Sequence, residues 1–380
     1  MAGYNSTQSR TRRNKIVRRN PGESSKKGSR KLDMEQRISS LDGARAIAVT
    51  LVFVWHLLVK SDIPLIWRVD YGNLGVRIFF VISGFLITFL LLAERERTGT
   101  ISIRDFYVRR IFRILPAYVV FLLVMLAVLP TGWLVLHKVD FLPSAAFFSD
   151  YETPTDALGH TWSLSVEEQF YLLWPGAIVL LGLRRAVYAC IALLLIAPTF
   201  RMLVDLSLWP EPPMRGFECV ADALACGCIL AVARERLWNN PLYRRLVSSP
   251  YLVLIPLATL LFMAVTIVRA RILYHTIGMP ILNFSIVMML DRYMRFPDTT
   301  RTGRWLNWAP IAWLGTISFS LYLWQEPMSC VTGHLPLTVK VLGALALAVA
   351  SRYFVELPFL ALRRRLSVRA SVLASDTSAA

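Results

Sequence analysis

The sequence predicts an all-α, polytopic integral membrane protein with about ten transmembrane helices and both termini in the cytoplasm. Three observations carry that reading. Of 380 residues, 55% are hydrophobic and only 18% charged, and the mean hydropathy is +0.50. Soluble domains rarely combine such apolarity with so little charge. Ten apolar segments long enough to span a bilayer follow residue 40. Arginine gathers in alternate connections between them, as the positive-inside bias requires.

The elements follow in chain order. Residues 1–37 hold eleven Lys or Arg against three acids, with many Ser, Asn and Gly. Such a stretch buries no core, so it is expected to be a disordered, basic, cytoplasmic tail attracted to anionic lipid. The apolar segments lie near 41–59, 74–93, 114–136, 162–183, 187–206, 217–233, 251–268, 273–291, 308–326 and 335–355. Between the second and third come Arg95, Arg97, Arg104, Arg109, Arg110 and Arg113. Arg234, Arg236, Arg244 and Arg245 follow the sixth, and Arg292, Arg295, Arg301 and Arg304 the eighth. Arg363, Arg364, Arg365 and Arg369 follow the tenth, while the long 137–161 stretch holds Lys138 alone. One orientation satisfies these connections. Residues 38–366 are thus one membrane domain and 367–380 a second disordered cytoplasmic tail. Glu356 and Pro358 are expected to end the last span. No cleavable signal peptide is evident, because the first apolar segment begins only near residue 41 and lacks a small-residue cleavage site.

Several functional classes recede. The formal charge of +17 sits between apolar segments rather than among aromatics on one folded face, so nucleic acid is not the expected partner. Cys190, Cys219, Cys226, Cys228 and Cys330 show neither a disulfide framework nor metal-ligand spacing, and no metal is expected. There is no internal repeat, soluble catalytic domain or Gly-rich nucleotide loop. Any chemistry belongs in the bundle or at its rims.

Within the spans, ionisable residues are costly and mark interiors or wet cavities. His56 follows Arg45 by eleven residues, about three helical turns or roughly 16 Å, so the two share a face near opposite surfaces. Topology puts Glu167 close to the depth of His56, with Arg201, Asp222, Gln325 and Glu326 toward the same outer layer. A carboxylate beside a histidine orients the imidazole and stabilises its protonated form while the other ring nitrogen takes a proton from a hydroxyl. The competing reading is a polar cluster that only holds helices together. His160, next to Thr161, and His275 are read as satisfied histidines. Trp162 fits interfacial packing or stacking on a sugar. On the inner side Arg109 and Arg113, four apart, make one cationic helical face suited to phosphates, with Arg45 at the same surface.

These residues resemble the integral-membrane acyltransferase 3 family, whose members mostly O-acetylate bacterial surface glycans. The similarity covers about residues 37–366. Leu41 to Ala48 with His56 is similar to the family's Arg/Lys-x10-His signature, and Gly75 to Thr88 to its second-helix motif. Arg109 to Pro116 resembles its Arg-rich inner loop, and Thr161 to Pro175 its Trp-Ser-Leu…Glu…Phe-Tyr segment. Ser318 to Trp324 and Tyr353 to Pro358 resemble its last two motifs.

The resemblance implies a bacterial inner-membrane O-acyltransferase, with acyl-coenzyme A, most simply acetyl-CoA, as co-substrate and no bound cofactor. Acyl-CoA would bind near Arg45, Arg109 and Arg113. His56 would be the base and Glu167 its partner, and the acceptor a glycan or glycolipid hydroxyl on the outer side. Arg201 is a candidate oxyanion or substrate contact, and an acyl-Ser163 or acyl-His56 intermediate stays open beside direct transfer. A partner protein carrying the acyl group onward is also implied, because some members pass it to an appended extracellular domain. The chain departs from the family at Gln325, where many relatives have His, and at Cys219-Val220-Ala221-Asp222, which lacks the Arg that often precedes the Asp. Asp222 is therefore expected to find Arg201 or Arg215. The rival function is transport of an anionic or lipid-linked sugar across the same polar interior.

Overall fold

The structure is a computed structural model that describes residues 41–58, 71–152, 155–208, 214–331 and 335–366. The expected tails at 1–37 and 367–380 lie outside the described residues. Among those described, all regular structure is helical. In chain order the helices are α1 (Leu41–Leu58), α2 (Tyr71–Thr98), α3 (Ile103–Thr131), α4 (Phe141–Ala145), α5 (Thr161–Leu181), α6 (Leu183–Asp205) and α7 (Phe217–Asn239). There follow α8 (Pro241–Ser248), α9 (Leu254–Arg269), α10 (Arg271–Arg295), α11 (Arg301–Leu306), α12 (Ala309–Thr316), α13 (Ser318–Cys330) and α14 (Leu337–Leu366).

Six of these, α1, α2, α3, α6, α10 and α14, are long and apolar enough to cross a membrane. A seventh arises if Pro241–Ser248 and Pro250–Phe262, bent by 80°, count as one span. The other apolar segments expected from the sequence also coincide with helices. α5 carries Glu167, Glu168 and Gln169, and α7 carries Glu218, Asp222 and Arg234. The 308–326 segment is divided at Ile317 between α12 and α13.

Burial separates the centre of the bundle from its rim. In α2, 56% of the most apolar stretch is buried, against 17% in α6 and α14, so α2 is central and the other two present apolar surface outward. α2 packs most extensively on α7. Small residues permit it: a Cβ built on Gly84 would collide with the Leu224 carbonyl oxygen, and one on Gly227 with that of Val81. Without a hydrophobic drive between helices in lipid, such close backbone approach supplies the packing energy. Buried ion pairs add orientation. Asp291 of α10 takes Arg234 of α7, Arg295 and the Tyr243 hydroxyl of α8 onto its two oxygens.

One expectation is corrected at the C-terminal end. Glu356 and Pro358 do not close the last helix, which runs on to Leu366. Residues Ser351–Glu356 instead form a π-helical turn inside it. Its extra residue turns Glu356 inward, where the carboxylate accepts from Ser320 of α13 at 2.5 Å and Arg352 at 2.6 Å. π-turns mark functional places in helices. Here one joins the two C-terminal motifs.

Candidate functional site

α1 runs from Arg45, which holds Asp42 at 3.3 Å, to His56 at its other end. His56 does not meet Glu167. Its Nε2 lies 3.4 Å from Oε1 of Glu326, near the end of α13. The other oxygen of Glu326 accepts the backbone N–H of His160 at 2.6 Å and lies 2.8 Å from that residue's Nδ1. One buried carboxylate thus serves two histidines. The packing behind it is tight, since a Cβ on Gly159 would press on Oε1 of Glu326. His56 Nδ1 is buried and has no hydrogen-bond partner.

Glu167 lies elsewhere. Ser83 donates to its Oε1 at 2.7 Å, and Glu167 lines a cavity with Arg45, Arg110 and Arg113. Equal depth along two helices does not ensure a shared face, and α5 turns Glu167 toward the arginines. Glu168, its neighbour, lies 4.0 Å from Nε of Arg110, whose guanidinium sits over the Tyr171 ring at 3.4 Å.

Three cavities follow one another through the bundle. The arginine cavity, about 410 Å³, is lined by Arg45, Arg109, Arg110, Arg113, Arg352 and Arg363 among apolar side chains. A narrow connecting cavity, about 80 Å³, shares Arg45, Arg110 and Arg113 with it and adds Ser83, Ser163, Glu167 and Tyr322. The histidine cavity, about 340 Å³, shares Val76 and Tyr322 with the connecting one. It holds His56, His160, Glu326, Trp162, Arg77, Arg201 and Arg215. Tyr322 is the common wall: it shares a 2.5 Å hydrogen bond with Ser163 and donates to the His160 carbonyl at 3.1 Å.

The expected residues therefore divide into two groups. Arg45, Arg109 and Arg113 do line one cavity, although Arg109 is also engaged by Glu94 at 2.6 Å. His56, Trp162 and Arg201 line the histidine cavity, while Ser163 and Glu167 line the connecting one. Trp162 packs edge-on to Phe80 at 6.0 Å, with the Arg215 guanidinium 5.9 Å from its ring centre. Each of the three Arg201 nitrogens already donates, to the carbonyls of His275 and Cys219 and to Asp222 at 3.0 Å.

Asp222 finds one of its two expected partners, Arg201, and an unexpected one, Arg77 of α2 at 3.3 Å. Sequence reasoning also missed the roles of Glu326 and His160. For Arg77 a signal existed: an arginine inside a strongly apolar helix needs a buried counter-charge. For His160 the only signal was adjacency to the Thr161 motif. All five cysteines are free, and no group of three or more metal-ligating side chains occurs among the described residues.

Residues 38–351 match the family model described as an acyltransferase domain, Acyl_transf_3. A putative peptidoglycan O-acetyltransferase YrhL of Bacillus subtilis is 29% identical over 362 residues, covering 84% of this chain and 54% of that protein. The O-acetyltransferase OatA of Staphylococcus aureus is 26% identical over 355 residues, covering 84% and 57%. The peptidoglycan O-acetyltransferase OatA of Listeria monocytogenes is 27% identical over 356 residues, covering 85% and 54%. The chain spans little more than half the length of these relatives. No solved structure matches it.

Proposed function

The chain belongs to the acyltransferase 3 family, and on that premise we propose that it is a membrane O-acyltransferase. In this reading it takes an acetyl or other short acyl group from cytoplasmic acyl-CoA and places it on a glycan or glycolipid hydroxyl at the outer side of a bacterial inner membrane. The supporting observation is the run of three cavities, joined by shared lining residues, from an arginine-rich end to His56. The same reading takes all ten apolar segments as spans and both termini as cytoplasmic, which the arginine-rich connections favour.

The geometry accounts for the chemistry. The phosphates of the donor would lie against Arg45, Arg109 and Arg113, with Arg110, Arg352 and Arg363 added by the structure. The acyl thioester would reach past Val76 and Tyr322 into the histidine cavity. His56 turns Nε2 toward the Glu326 carboxylate, so the ring proton is assigned to that nitrogen and Nδ1 keeps a free lone pair. Nδ1 takes the proton of the sugar hydroxyl as its oxygen attacks the thioester carbon, and Glu326 stabilises the imidazolium. Collapse breaks the C–S bond, and the proton passes from His56 to the departing thiolate. Oxygen gains the acyl group, sulfur gains the proton, and no redox step occurs.

Peptidoglycan is the first acceptor to assay, because two of the relatives are named for it. A separate protein that carries the acyl group onward remains part of the proposal. The test is base-labile ester on cell-surface glycans, read by proton NMR before and after mild alkali. A deletion strain is complemented with wild type or with His56→Ala at equal membrane abundance. Ester restored by wild type alone supports the reading. Ester restored equally by both removes His56 as the base.

A further inference from the structure

The histidine cavity is lined by three arginines, Arg77, Arg201 and Arg215, and by one carboxylate, Glu326. Glu326, and the two carboxylates that pair with other lining residues, each already serve two cationic or titratable partners. Glu326 faces His56 and His160, and Asp222 is shared by Arg77 and Arg201. Asp205 holds Arg271 at 2.8 Å and His275 at 2.7 Å. Arg215 also lines the cavity; among the described residues it forms no ion pair, and its guanidinium lies 5.9 Å from the centre of the Trp162 ring.

Arg77 is the second mark of the imbalance. It is 2% exposed, lines the same cavity and spends Nη1 on Asp222 and on Asn283 at 2.9 Å. Its Nε is buried without a hydrogen-bond partner. A buried guanidinium with an unused donor is costly unless an acceptor completes it. A sugar hydroxyl could accept from Arg77 Nε, but a carboxylate or phosphate would in addition pair the charge of Arg215.

We propose that Arg215 and Arg77 form a subsite for the negative group of an acidic glycan acceptor, with Trp162 as the platform for its sugar ring. The proposal rests on the acyltransferase reading above and narrows it to acceptors bearing a carboxylate or phosphate close to the accepting hydroxyl. Exposure of Arg215 lets it capture the anion at the mouth of the cavity. The fixed pair of Arg77 and Asp222 then sets where the charge comes to rest. The Arg215–Trp162 stack favours a planar cation beside a ring face.

The experiment uses the full chain in lipid nanodiscs. Three probes are compared: the disaccharide of N-acetylglucosamine and N-acetylmuramic acid, its carboxyl-reduced form, and an N-acetylglucosamine disaccharide 1-phosphate. Equilibrium binding is measured without donor, and acetyl transfer with acetyl-CoA. Binding of an acidic probe is expected to exceed that of the reduced one about tenfold. The excess should shrink as salt screens the charge, disappear in Arg215→Gln and partly persist in Arg215→Lys. Preference for the muramic acid probe assigns a carboxylate, and preference for the 1-phosphate a phosphate; either supports the subsite. Equal binding of all three probes, or a preference unaltered in Arg215→Gln, overturns it. Selective binding with no acetyl transfer leaves the subsite standing and overturns the reaction assignment instead.

Discussion

His56 Nε2 lies 3.4 Å from Oε1 of Glu326, and that contact joins helix α1 to helix α13 at a carboxylate on which His160 also converges. The carboxylate that supports the candidate base thus comes from the C-terminal part of the domain. Glu326→Gln should lower acetyl transfer by about a hundredfold, within the usual range for acid–base catalysis. His160→Asn should cost less, because the backbone N–H of residue 160 still reaches Glu326. Acetyl transfer by purified variants, normalised to folded protein, is the measurement. Full activity in Glu326→Gln would break the assignment.

Glu167 should behave differently from Glu326. It sits with Arg45, Arg110 and Arg113 in the connecting cavity, so its removal is expected to act on the donor. Arg113→Gln should raise KM for acetyl-CoA about tenfold with a smaller effect on kcat, the pattern of lost uniform binding. Glu167→Gln should likewise shift the donor KM and leave the pH dependence of kcat where it is in wild type. A pH profile displaced by Glu167→Gln would return Glu167 to the side of His56.

The α2–α7 crossing should tolerate no added bulk. Gly84→Val places a side chain against the Leu224 backbone, which has no flexible end to yield. The helices must separate, and the neighbouring 3.3 Å contact from Cys228 Sγ to the Gly84 carbonyl separates with them. Overpacking of this kind costs about 1–3 kcal/mol or more. Fluorescence-detected gel filtration should show a lower melting temperature and less monodisperse protein than in wild type. Gly99→Ala is the control: its Cβ would meet open space, although φ of +80° there adds local strain.

Asp150, in the connection between α4 and α5, makes stability depend on pH. It is fully buried, and burial pushes its carboxyl up from an ordinary 3.8 to about 6, partly offset by backbone N–H groups and by Gln169, which donates at 2.9 Å. In the unfolded chain it loses its proton near 3.8. Between that value and about 6 the folded protein keeps a proton that the unfolded chain has released. Stability from this group is therefore greatest at low pH, falls as pH rises through that window and levels off above it. Asp150→Asn cannot ionise, so its melting temperature should gain on wild type between pH 5 and pH 7.5. A difference that stays constant across that range would refute the assignment.

Much of the helical architecture was legible because hydropathy acts locally. Leucine-, valine- and alanine-rich runs form helices wherever they lie in lipid, and the expected segments coincide with helices, that at 308–326 with two. Arg45 and His56 share one helix, so their separation followed from its pitch alone. Arg109 and Arg113 lie four residues apart and line one cavity for the same reason.

Contacts between helices were not legible in that way. Depth along a span set Glu167 beside His56, but rotation about the helix axis decides which neighbour a side chain meets, and hydropathy carries little information about rotation. The small residues do: Gly84 and Gly227 bring α2 against α7, and that approach carries Arg77 to Asp222. The sequence by itself determined a helical membrane protein, its arginine-rich end and the distance from Arg45 to His56. Only the tertiary structure decided that Glu326 and His160 stand at His56, that Glu167 belongs with the arginines, and that Tyr322 divides the two cavities. Those pairings join residues far apart in the chain, on different helices, and close packing of helix backbones sets them.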